Sequence, residues 1–353
     1  MDPLPAPNPK TKRPGRRVSQ RDIAAAAGVS QVTVSLALRG HPSLPEETRE
    51  RLRTLAKEMG YVPDPALEAL VSYRNAKRPA AYHSTIGWIN THDTEQGWKT
   101  AATTLYHDAA VERATELGLK LETFWLRGPG MSPARMSSIL RARNIVGLLM
   151  PPQPKAFADL SLDWGRFVVV TLGFTLSSPI FHCVASNHFL SMRLLMQQLV
   201  ARGYRRPGLA IVQQMDDRVA RGWTGGFLAE SSRMPPECRV PLHLQDGLPL
   251  DPAQFDQWFL EHEPDAVVTL HREIIPALQK LGRRVPEDVG VAFPTVVHQL
   301  GEFSGIDEDS RRIGRTAVDI LSGLLRQNEV GVPAHPMRVL VEGQWAPGYT
   351  TRG

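Results

Sequence analysis

The run Ser30-Gln-Val-Thr-Val-Ser-Leu36 places an amide, three hydroxyls and several apolar side chains within seven residues. An amide such as that of Gln31 can make a bidentate contact to adenine or reach other base edges, and Val32 can pack on a thymine methyl. Leu36 follows one turn further on. This chemistry needs a helix whose outer face enters the major groove, so the flanking residues must build and present one. Ser19, three residues before Asp22, is a helix start: its hydroxyl caps free N–H groups and the carboxylate favours the positive helix end. An alanine-rich stretch to Ala27 allows close approach of a second helix, and Gly28 can take the left-handed conformation that stops the first. Ser30 caps the second helix, in which Val34 and Leu38 share an apolar face, leaving Gln31, Val32, Ser35 and Leu36 pointing elsewhere. That is the layout of a helix-turn-helix. A helix, a glycine and a second helix also occur in all-helical domains that bind no nucleic acid, so the segment alone leaves both readings open.

The next residues narrow the choice. Residues 47–59 form an amphipathic third helix with Leu52, Leu55, Ala56 and Met59 on its buried stripe, closed by Gly60. Residues 62–74 are a short helix-capable piece behind Pro63 and Pro65. Together, residues 18–74 resemble the DNA-binding headpiece and hinge of the lactose-repressor (LacI/GalR) family of bacterial transcription regulators. The matching residues are Ser19…Asp22-Ile-Ala, Ala27-Gly-Val-Ser30, Thr33-Val-Ser35, Thr48-Arg49 and Gly60-Tyr-x-Pro63. The resemblance implies base reading by Gln31 and Val32. Many family members have arginine where this chain has Leu36, so the operator preference should differ there. Ser19, Ser30, Thr33, Ser35, Arg39 and Thr48 would bind phosphates and fix register. Leu70 matches the leucine that wedges into the central minor groove, with Leu67 beside it. A hinge of this length is a marginal helix alone and would fold when two copies meet on DNA.

The chain has 353 residues, enough for two or three domains, and 42% are hydrophobic. Residues 1–78 carry 14 Lys or Arg against 8 Asp or Glu, and the remainder 27 against 28, so the positive charge lies where phosphate contact is proposed. Cys183 and Cys238 are the only cysteines, too few for a disulfide framework. There is no run of membrane-span length and no hydrophobic signal core, which points to a soluble cytoplasmic protein with no membrane partner. Residues 1–17, rich in proline and basic side chains, read as a disordered arm; Lys10, Lys12, Arg13, Arg16 and Arg17 either track DNA or form an inert solvated tail. The expected division is 1–17 arm, 18–62 helix-turn-helix domain, 63–84 hinge helix and linker, and 85–353 effector-binding and dimerisation domain.

From residue 85 short apolar runs alternate with helical segments. Strands are expected at 85–90, 120–126, 146–150, 167–172, 208–212, 240–244, 266–270 and 289–293, with helices at 103–117, 132–143, 189–202, 223–231, 252–262 and 273–281. Such alternation argues for two doubly wound parallel-sheet subdomains with a cleft outside the strand ends. The family resemblance extends over residues 85–351, most clearly at Val285-Pro-Glu-Asp-Val289, and implies an α/β periplasmic-binding-protein-like sensor that dimerises. It also implies a cleft effector, a sugar or a planar metabolite, met by Asn90, Asn187, Trp223, His271 and Arg272. Several pocket positions depart from the family: Trp223 replaces an arginine, Leu270-His271 an Asn-Asp pair, Pro294-Thr295 an acidic pair, and Ser186-Asn187 an Asp-Asn pair. The expected function is a repressor on a pseudo-palindromic operator, with no catalytic residues, cofactor or metal. A ligand-independent regulator with a degenerate pocket is the alternative. An enzyme is the weaker rival, lacking a Walker-type loop, a GxSxG motif and metal-ligand pairs, with only His182, Cys183 and His188 clustered. A transport-type binding protein conflicts with the headpiece.

Overall fold

Ser19 begins the first helix as its spacing predicts: in the computed structural model its hydroxyl accepts from the Asp22 N–H while the Asp22 carboxylate accepts from the Ser19 N–H at 2.8 Å. The structure describes residues 18–38, 44–61, 84–296 and 301–353. Arg39, Leu67, Leu70, the arm and nearly all of the expected hinge lie outside the described residues. The chain divides into two units, Met1–Arg78 and Pro79–Gly353.

The first unit contains α1 (Gln20–Ala27), α2 (Gln31–Leu38) and α3 (Glu46–Glu58). Gly28, at φ 68°, ends α1 in the left-handed region that only glycine enters without strain. Ile23, Ala24, Val34, Ala37, Leu52 and Ala56 are buried together, ringed by half-buried Leu38, Leu55 and Met59. Ala37 therefore joins Val34 at the centre of the α2 contact, where Leu38 was expected. The small side chains let three short helices meet closely.

The second unit carries β1 (Ser84–Asn90), α4 (Ala101–Glu116), β2 (Leu119–Trp125), α5 (Pro133–Ala142), β3 (Gly147–Met150), β4 (Ala158–Asp159), β5 (Val168–Leu172), β6 (Leu176–Ser178) and β7 (His182–Ser186). Next come α6 (His188–Ala201), β8 (Pro207–Val212), α7 (Gln213–Asp217), α8 (Gly222–Ser231), β9 (His243–Gln245), α9 (Pro252–His262), β10 (Ala266–Val268) and α10 (Ile274–Lys280). The chain closes with β11 (Gly290–Val296), β12 (Ser304–Asp307), α11 (Ser310–Gln327), β13 (Arg338–Val341) and β14 (Gln344–Ala346). One sheet has the order β13-β7-β5-β3-β1-β2, all parallel; the other runs β14-β12-β11-β10-β8-β9, with only β14 antiparallel.

All eight expected strands have a counterpart. The one at 240–244 moves to His243–Gln245, because Pro241 cannot donate to a ladder; its carbonyl instead accepts from the Trp258 indole at 2.9 Å. Four strands of the two large sheets (β7, β12, β13 and β14), the separate parallel pair β4–β6 and the helices α7 and α11 were not among the expected elements. Both sheets are filled by apolar cores, with Trp88, Leu149 and Val170 in the first and Leu209, Val268 and Phe227 in the second.

Candidate nucleic-acid interface and effector cleft

The outer face of α2 is open. Gln31 is exposed, and Val32 keeps 67% of its surface accessible, a branched apolar side chain held toward solvent beside an amide. Leu36 and Ser35 lie half-buried on the same side. Ser30 accepts from the Thr33 N–H at 3.0 Å, and its hydroxyl lies 2.8 Å from that of Thr33, so two exposed hydroxyls crown the positive end of the helix. Thr48 is half-buried near the start of α3. Ser19 also braces α1: its hydroxyl donates to the Asp22 carboxylate at 2.6 Å. Gln20 donates to the Tyr61 hydroxyl at 3.2 Å, tying α1 to the end of α3.

In the second unit each sheet reverses winding direction once. The switch lies between β1 and β3 in the first sheet and between β8 and β10 in the second, and ligands of doubly wound folds sit outside the carboxyl ends at such points. The segments leaving these strands meet. Arg218, just after α7, donates through Nη1 to the carbonyls of Gln153 (2.8 Å) and Pro154 (2.7 Å), which follow β3 of the other sheet. Gln153 is fixed in turn: its N–H donates to Thr175 at 2.6 Å, its amide to Pro151 O at 2.6 Å, and it accepts from Thr91. His92, after β1, has Nε2 3.4 Å from Pro152 O; burial and the nearby Arg218 charge lower its pKa.

The chain crosses between the sheets three times, after β7, β12 and β13, and the crossings are braided. Asn187 caps α6 and donates to Glu342 at 2.9 Å; the Asn187 N–H also donates to Val341 O at 2.9 Å. His188 Nδ1 lies 2.9 Å from the Glu308 carboxylate, both largely buried. Gly343 sits where a Cβ would strike Ile306 and come within 2.7 Å of Ser191 Oγ.

The residues expected to meet an effector are therefore unevenly placed. Asn90 is fully buried and shapes its own loop, donating to Thr94 O and Glu95 O and accepting from the His92 N–H, which corrects its reading as a ligand contact. Trp223, 4% exposed, packs with Met192, Leu195 and Phe227, so it fills the core and offers no stacking face. Asn187 belongs to the crossing. Arg272 is exposed, with its guanidinium 4.6 Å over the Phe303 ring. His271 is buried after β10, with Nδ1 3.2 Å from Glu273 and Nε2 lacking a partner. Arg218, His92 and Gln153 escaped sequence reasoning because their partners lie on distant strand ends.

The His182, Cys183 and His188 cluster disperses. His182 accepts from the Met337 N–H through Nδ1 at 3.0 Å and so donates through Nε2 to Glu329, whereas Cys183 donates to Gly173 O. Among the described residues no three ligating side chains converge on a metal-sized site, and no helix is long and apolar enough to cross a membrane.

A helix-turn-helix unit followed by two parallel sheets joined through three crossings defines a DNA-binding transcription regulator with a sensor domain. Residues 20–64 match the lacI family of bacterial regulatory proteins, and residues 196–351 match the periplasmic binding protein-like domain. The transcriptional regulator CelR of Thermobifida fusca is 41% identical over 354 residues, covering 93% of this chain and 96% of that protein. The regulator GntR of Pseudomonas aeruginosa is 45% identical over 65 residues, 18% of this chain and 19% of GntR. Among solved structures, a CelR–cellobiose complex superposes with a TM-score of 0.57 at 20% identity, covering 95% of this chain and all of that one. The lac repressor dimer bound to operator gives 0.53 at 20% identity, covering 96% of this chain and all of that one. The chain belongs to the lacI family, whose members are transcription regulators and not enzymes.

Proposed function

We propose that this protein is a cytoplasmic repressor that binds a pseudo-palindromic operator as a homodimer and changes its grip when a small molecule occupies the sensor cleft. The observation that carries this is the facing of the two switch points, bridged by Arg218 and tied by the braided crossings at Asn187, Glu308 and Gly343. A molecule seated there acts on both sheets at once. One headpiece covers half an operator, so two copies supply specific affinity. Gln31 and Val32 read bases, with Leu36 giving an apolar contact; Ser30, Thr33, Ser35, Arg39 and Thr48 hold phosphates, and Leu67 and Leu70 serve the hinge. Exposed Phe189, Leu190 and Leu228 on α6 and α8 supply apolar surface for a sensor-mediated dimer. The solved CelR complex with cellobiose supports a sugar-type molecule in such a cleft.

The ligand-independent reading is favoured by the structural roles of Trp223 and Asn90. One experiment separates the two. Genomic fragments retained by the purified protein are sequenced, and affinity for the resulting motif is measured with and without candidate effectors, cellobiose among them. A palindromic motif whose affinity changes saturably supports the proposal. A motif unmoved by any effector supports the alternative, and retention without a motif refutes specific regulation.

A further inference from the structure

We propose that the cleft is built for an anion: a small molecule whose carboxylate or phosphate pairs with the Arg218 guanidinium, beside His92. This rests on the cleft being the effector site. Arg218 is half-buried at the meeting of the two switch points and forms no ion pair with any described residue. Two aspartates immediately precede it in the chain, and both are occupied elsewhere. Asp216 is buried and turns to the start of α8, accepting from the N–H of Trp223 (3.2 Å) and of Thr224 (3.4 Å). Asp217 pairs with Arg221 at 2.8 Å. Only Nη1 of Arg218 has acceptors, and both are neutral carbonyls; Nε and Nη2 meet none among the described residues.

A cation taken out of water is costly unless an anion compensates it. Desolvation alone lowers the guanidinium pKa of Arg218, whereas every other described arginine with a resolved shift is raised by a carboxylate partner. The side chain that Arg218 acts on electrostatically across the cleft, His92, is also basic. Arg127 adds to the same field, though it is paired at 2.7 Å with exposed Asp93. The cleft therefore holds a guanidinium with no carboxylate partner among the described residues, and the two carbonyls hold the Arg218 fork in place for a two-oxygen group. An anion there would join Arg218 of one sheet's loops to the His92 loop of the other, so its binding would favour one angle between the subdomains.

The full-length protein, Arg218→Met and Arg218→Lys are titrated with glucose, glucuronate and glucose 6-phosphate at constant ionic strength. These share one pyranose and carry a neutral, a carboxylate or a phosphate group. Calorimetry gives affinity and thermal unfolding gives Tm. The expected result is that one acid binds the wild type about tenfold or more tightly than glucose, that Arg218→Met removes the difference, and that Arg218→Lys keeps part of it. Which acid prevails tells carboxylate from phosphate. Acids that act equally on the wild type and Arg218→Met overturn the proposal. A response to glucose in both proteins, with nothing added by the acids, overturns the anion but keeps the effector cleft. No response to any of the three overturns the proposal as well.

Discussion

Gln31 is exposed at the start of α2, next to a valine with no packing role. Replacing it by alanine is expected to weaken operator binding by about 1–3 kcal/mol and to relax preference at a single base pair. Fluorescence anisotropy on operators varied one position at a time would show this; a uniform loss across all variants would assign Gln31 to the backbone instead. These residues were legible from sequence because a helix-turn-helix keeps its contacts within some forty residues, and capping chemistry and apolar spacing fix which side faces out. The cleft residues were not. Trp223 was read as an effector contact because it stands at a pocket position, yet its burial against Met192 and Leu195 of α6 is a tertiary contact that no local pattern reveals. Arg218 stood unnoticed behind two aspartates whose partners are visible only in three dimensions.

At the level of the element, α8 starts over a buried carboxylate. Asp216 receives two N–H groups from its first turn, yet burial raises its pKa above the usual value. A carboxyl whose pKa is higher in the folded than in the unfolded state binds more protons when folded in the window between the two values, so stability falls as pH rises through it. Asp216→Asn keeps the shape and removes the charge. Its Tm is expected to exceed that of the wild type at neutral pH, with the gap closing as pH is lowered below the folded-state pKa. Thermal unfolding across pH 4 to 8 (a range that spans ordinary carboxylate titration) checks this, and a constant gap would mean that the cap, not the charge, sets the difference. Sequence reading located most strands because buried parallel strands are short apolar runs. It missed β13 and β14, whose burial patterns are largely open, and β7, whose histidine and cysteine interrupt the apolar run. Helix α11 was within reach, since Ile313, Ala317, Leu321 and Leu324 recur at helical spacing.

Across the whole sensor, three crossings tie two sheets, and at Gly343 the braid leaves no room for a side chain. Gly343→Val forces a side chain against Ile306 and Ser191, which are themselves packed. The expected outcome is a sensor held at one angle: operator affinity persists, but the ratio of affinities with and without effector falls toward one. Anisotropy titrations at saturating effector would measure that ratio. An unchanged ratio would show that the subdomains do not pivot at this point. On the proposed coupling of effector and operator affinities, the same substitution should leave effector binding insensitive to added operator DNA.

The order in which the braid closes has a temporal meaning. The helical headpiece completes its core with Leu52 and Ala56, long before the rest of the chain has left the ribosome, and domains commonly fold as they emerge. The sensor cannot do so. β13 finishes one sheet, β14 edges the other, and the Val291 N–H awaits the carbonyl of Thr350. During synthesis the helix-turn-helix unit is therefore made first, and the two-sheet unit is completed last.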